Sequence, residues 1–164
     1  MHGSKRFKQM ISNKETRYKN IRKEIMAVLE GESNMIARYS TVACMLNGAF
    51  DYFYWTGFYL VDLKKHNELV IGPYQGTLGC LRIPFGKGVC GLSAKTKKTF
   101  IVSDVHNFEN HIVCDVNSQS EIVVPVLDKN SNLMAVLDVD STELDAFDEF
   151  DRSGLENICS LLII

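Results

Sequence analysis

A chain of 164 residues with 46% hydrophobic and 23% charged residues is long enough for one domain with a full core. Its formal net charge of −2 gives no basis for nucleic acid as a partner, and no apolar run reaches the length that crosses a bilayer. Five cysteines, an odd number, argue against a permanent disulfide framework and for reduced thiols in a cytoplasmic protein. The N-terminus carries Lys5, Arg6, Lys8, Lys14, Arg17, Lys19, Arg22 and Lys23 but lacks the apolar stretch of a secretory signal. Glu15 and Glu24 interrupt that run, as they would not in an acid-poor transit segment, so it reads as the solvated face of a helix. Residues 12–29 keep helical periodicity through Tyr18, Ile21, Ile25, Val28 and Leu29. Gly31 stops this helix, and Ser33 or Asn34 caps a second one that turns Met35, Ile36, Tyr39, Val42, Ala43 and Leu46 inward.

From Trp55 the period becomes that of a strand. Residues 56–63 and 68–76 form a hairpin about His66 and Asn67. A third strand, 80–85, leads into Gly86-Lys87-Gly88, which opens a short helix running through Ala94. Further strands are predicted over 100–105, 120–128 and 133–141, with the last turn at 129–132 and a closing helix over 149–162. With no repeat and no linker, 1–164 reads as a single α+β domain. A mostly antiparallel central sheet is flanked by N- and C-terminal helices, and 1–10 forms a loose extension.

The chemistry-bearing residues lie in the second half. Cys44 and Cys159 fall inside helices and read as small buried hydrophobes. Cys80 follows a glycine at a strand start, Cys90 sits at a helix start, and Cys114 lies in a polar loop, where reactive groups are commonly carried. The positive end of a helix dipole favours thiolate, an effect expected to be greatest at Cys90. His106 and His111 near Cys114 raise the question of zinc, but the spacings lack close-set ligand pairs and no metal is expected. Asp138 and Asp140 lie two apart in a strand and share a face, while Leu137 and Val139 take the other. Such carboxylates repel unless they meet a cation or one keeps its proton, and Glu121 can join them from the preceding strand. They are either solvent-exposed or line an acidic pocket for a group such as an ammonium. Trp55, the single tryptophan, shares a strand face with Tyr59 and can wall such a pocket, whereas Phe53 and Phe58 read as core.

The motifs WTGFYL, LVIGPYQG, GCLRIPFGKGVCG, HIVCD, SEIVVPV and LDVDS, in that order, resemble the free methionine-(R)-sulfoxide reductase family, which is built on the GAF fold. The resemblance runs from about Trp55 to Phe147. It implies reduction of the R-epimer of free L-methionine sulfoxide, with no bound cofactor and with thioredoxin as the source of reducing equivalents. Carried over by motif, Cys114 is the nucleophile, Cys80 the resolving thiol, and Cys90 a second or alternative resolving thiol. Trp55 and Tyr59 fall where the family packs the substrate's methyl group and side chain. Glu121, Asp138 and Asp140 fall where it holds the sulfoxide oxygen and the ammonium, with Glu121 the preferred proton donor. The implied chemistry proceeds through a cysteine sulfenic acid and an intramolecular disulfide. A homodimer through the N-terminal helices is compatible with this reading, and no nucleic acid or membrane is expected as a partner. The rival reading is a non-enzymatic GAF domain that senses a small ligand.

Overall fold

Alternation along three strands organises the molecule. A computed structural model describes residues 2–108 and 115–163, with side chains described from residue 13 onward. The helices are α1 (His2–Val28), α2 (Met35–Ala49), α3 (Gly88–Thr96) and α4 (Glu149–Cys159). The strands are β1 (Trp55–Val61), β2 (Glu68–Gln75), β3 (Arg82–Pro84), β4 (Phe100–Val102), β5 (Ser120–Leu127) and β6 (Leu133–Ser141). All six strands form one antiparallel sheet in the order β3-β2-β1-β6-β5-β4.

In the three central strands, side chains of opposite parity enter different cores. Phe58, Ile122, Val124, Val126, Ala135, Leu137 and Val139 pack with residues of α1, α2 and α4 on one face. Trp55, Tyr59, Val123 and Val136 join a smaller cluster on the other face, which also takes in Val89, Cys90 and Ala94 of α3. One face therefore carries the main core and the other a cavity. This is the α+β arrangement expected from the sequence, and Phe53 and Phe58 are indeed on the core side.

The helix ends follow local chemistry. Asn34 caps α2, its side-chain oxygen accepting from the N–H groups of Ile36 (2.9 Å) and Ala37 (3.1 Å). Asp148 and Asp151 form a reciprocal capping box at α4. Asp151 does more than cap. Fully buried, it accepts from the hydroxyls of Tyr18 (2.7 Å) and Tyr52 (2.6 Å) and pairs with Lys14, joining α1 and the approach to β1 to α4. Two phenols and an ammonium give the oxygens of this buried side chain their hydrogen-bond partners.

Several expectations need correction. Helix α1 begins at His2, ten residues before the expected start at Ser12, because a charged solvent face continues a helix as readily as it precedes one. The packing expected of 1–10 lies outside the described side chains. Val28 and Ile36 are exposed, at 58% and 53%, since each sits off the buried stripe of its helix. Cys44 is exposed as well, being adjacent in sequence to buried Val42 and Ala43 but turned away from the sheet. Strand β3 is three residues long, so Cys80 lies in the connection before it.

Candidate active site

The cavity on the second face is built by residues two positions apart on neighbouring strands. In register, Trp55 of β1 faces Asp140 of β6, Gly57 faces Asp138, and Glu121 of β5 faces Asp140. The carboxylates of Glu121, Asp138 and Asp140 therefore converge, with an oxygen of each within 4.8 Å of the others. Above them stand the aromatics. Trp55 stacks on Tyr59 at 5.7 Å and on Tyr74 at 5.3 Å between ring centroids. The stack requires glycine at position 57, where a Cβ would lie 2.3 Å from Tyr74 Cβ and 2.6 Å from Trp55 Cη2.

Desolvation dominates the electrostatics here. Burial raises the Glu121 carboxyl well above its ordinary range, and the charges of Asp138 and Asp140 add to the shift. Burial pushes Asp138 up to about 7, partly offset by the Cys90 thiol directed at it. Asp140 is raised by burial and by Asp138, while the Ser118 hydroxyl works in the opposite sense. Burial and mutual repulsion thus hold protons on these three carboxyls to higher pH than an exposed acid would. Asp138 Oδ1 is buried with no hydrogen-bond partner, so the cavity offers an acceptor waiting for a donor. Tyr59 remains a neutral phenol, held there by burial and then by Asp138, and the backbone N–H of Cys80 donates to its oxygen.

The thiols differ among themselves. Cys80, half-buried beside Tyr59, is disulfide-bonded. Cys90 is a free thiol that lines the cavity in the first turn of α3. The expected thiolate is not favoured at Cys90, because burial and the charges of Asp138, Glu121 and Asp140 raise its pKa well above the ordinary value. A helix terminus contributes about 1 kcal/mol to an exposed charge, too little to offset that desolvation. Cys114, the expected nucleophile, and His111 lie outside the described residues, and His106 is exposed in a short 3-10 turn. Cys159 is buried, as expected, and its thiol is pushed up by desolvation.

Other lining residues were not singled out in the sequence: Leu78, Gly79, Ile83, Lys87, Asp115 and Ser118. Lys87 stands at the N-cap of α3 without making a side-chain cap, so the first-turn N–H groups and a cation open on the same cavity. The Gly86-Lys87-Gly88 turn was the available signal. The acids of this cavity could also ligate a hard divalent cation, being oxygen donors only.

Fold and cavity together define an α+β domain whose second sheet face carries a cavity lined by acids and aromatics. The family model described as the GAF domain matches residues 44–164. GAF domain-containing protein A of Dictyostelium discoideum is 47% identical, covering 92% of each chain. A free methionine-R-sulfoxide reductase of Escherichia coli is 37% identical over 92% of this chain and 88% of its own. The crystallographic structure of the Neisseria meningitidis free methionine-R-sulfoxide reductase, in complex with its substrate, superimposes with a TM-score of 0.84. It is 41% identical and covers 88% of this chain and 85% of that one. The chain belongs to the GAF domain family, and within it stands close to the free methionine-R-sulfoxide reductases.

Proposed function

We propose that the protein reduces free L-methionine-(R)-sulfoxide to methionine through a thiol cycle. The observation that carries this reading is the meeting of a buried acid triad with the Trp55–Tyr59 stack, beside a cysteine engaged in a disulfide. An aromatic wall accepts the methyl group and thioether, while the acids meet a sulfoxide oxygen and an ammonium. The open first turn of α3 with Lys87 suits the substrate's carboxylate. A peptide would offer a neutral amide where the site is built to pair a charge, so the free amino acid is preferred.

In this reading the Cys114 thiolate attacks the sulfoxide sulfur, and Glu121 gives its proton to the departing oxygen. Methionine leaves and Cys114 carries the oxygen as sulfenic acid. Cys80 condenses with it, forming the disulfide and releasing water. The disulfide-bonded state of Cys80 supports its role as the resolving thiol. A dithiol protein of the thioredoxin type then exchanges with the bond and restores both thiols, becoming oxidised itself. Each proton held among these acids lowers the negative charge of the cavity, which lessens an obstacle to forming a thiolate. Cys90, protonated and buried, is left as a reserve resolving thiol.

The test is NADPH consumption with thioredoxin and its reductase, supplied with the R-epimer, the S-epimer or a sulfoxide-containing peptide. Turnover of the R-epimer alone is expected, with loss of turnover in Cys114→Ser. Full activity in that variant would reject the assignment of the nucleophile, and silence of the unmodified protein would reject the reaction.

A further inference from the structure

The connection between β2 and β3 covers the indole of Trp55 and is fastened from both sides. Trp55 Nε1 donates to the carbonyl of Thr77 at 2.9 Å. A Cβ on Gly76 would lie 2.8 Å from Trp55 Cδ1, and one on Gly79 would lie 3.0 Å from the Tyr59 hydroxyl, so the 76–79 segment rests directly on the rings. On the outer side, the Thr77 hydroxyl donates to Asp115 Oδ2 at 2.5 Å, and the Tyr54 hydroxyl donates to the same oxygen at 3.1 Å. The other oxygen, Asp115 Oδ1, accepts from the N–H of Asn117 at 2.8 Å. Thr77 is exposed and lies outside the cavity's lining, so neither the core nor contact with a ligand calls for its hydroxyl, whereas Asp115 reaches the cavity itself. What it joins is specific. Thr77 lies three residues before Cys80, and Asp115 directly follows Cys114 in the chain.

We propose that Asp115 is a positioning residue: by accepting from Thr77 and Tyr54 it locks the 76–79 segment over Trp55 and sets how fast the disulfide at Cys80 closes. The second half of this statement rests on the thiol cycle proposed above. Fastening two segments raises the effective concentration of the groups they carry. Losing one hydrogen bond to a charged acceptor reduces such an encounter about ten-fold or more. The Thr77 hydroxyl also leads the causes that hold the Asp115 carboxyl below its ordinary range, so the acceptor is ionised at neutral pH.

The experiment compares the unmodified protein with Thr77→Val, which lacks the donor, and Thr77→Ser, which keeps it. In single turnovers with free methionine-(R)-sulfoxide, methionine release and loss of titratable thiols are followed separately. The emission of Trp55, the single tryptophan, reports the segment without any need for activity. Thr77→Val is expected to release methionine at the unmodified rate, lose thiols about ten-fold more slowly or more and shift its emission to the red, while Thr77→Ser matches the unmodified protein. Unaltered closure in Thr77→Val, or equal slowing in both variants, overturns the proposal. If the unmodified protein releases no methionine, the reductase reading fails, and emission decides the lock: an unshifted spectrum in Thr77→Val rejects it.

Discussion

Replacing Asp138 by asparagine should make the substrate-free protein more stable at pH 8 and leave it nearly unchanged at pH 4. Burial lifts this carboxyl from 3.8 to about 7, so the folded protein retains a proton that the unfolded chain has released. Where the folded state binds more protons, stability falls as pH rises. Each pH unit crossed between the two values removes up to ~1.4 kcal/mol, and the accumulated loss by pH 8 is ~4 kcal/mol for this group. Glu121 and Asp140 are shifted in the same direction and partly by the same neighbour, so removing the Asp138 charge relaxes them too. Asparagine has the shape of the acid, does not titrate, and can donate to either remaining carboxylate. The assay is urea unfolding of both proteins, fully reduced so that the disulfide at Cys80 contributes nothing. A higher midpoint for the variant at pH 8, an unchanged denaturant slope and convergence at pH 4 are expected. A variant weaker than the parent at pH 8, or a gap that ignores pH, would refute the reasoning. The same variant should lose affinity for the sulfoxide, which would explain why the chain keeps a group that costs it stability.

Gly57→Ala should cost about 3 kcal/mol and shift Trp55 emission, because its Cβ meets Tyr74 and the indole within 2.6 Å; an unaltered spectrum would contradict the packing. Asp151→Ala should lower stability by about 3–5 kcal/mol, since it strands Lys14 and two tyrosine hydroxyls, and thermal unfolding reads the loss. Alkylation of the reduced native protein should label exposed Cys44 well before Cys90 or Cys159, which should react only on unfolding. Peptide mass mapping after brief exposure checks this, and early labelling of Cys90 would refute its burial.

The residues that alternate were legible in the sequence. Leu137, Asp138, Val139 and Asp140 announce two faces of one strand whatever the partner strands are, and the acid face proved to be a cavity. The hairpin about Asn67, which has φ of 59°, and the Asn34 cap were equally local and equally visible. Properties that depend on tertiary surroundings were not. Helix-start position suggested a thiolate at Cys90, yet burial among three acids decides its protonation, and no local pattern encodes that burial. Ile36 and Val28 fit an apolar stripe by composition but fall outside its arc. Asp151 reads as an ordinary first-turn acid, and its two phenols come from positions 99 and 133 residues earlier. Asp115 and Thr77 gave no signal at all, being 38 residues apart.

The parity of β1, β5 and β6 separates what holds the molecule together from what it recognises. Every second side chain can be exchanged to alter the recognised compound while the intervening ones go on gripping the helices. A lineage can thus explore new chemistry on this sheet without first surrendering its fold. A one-residue insertion within those strands, by contrast, would swap the two sets and destroy both at once.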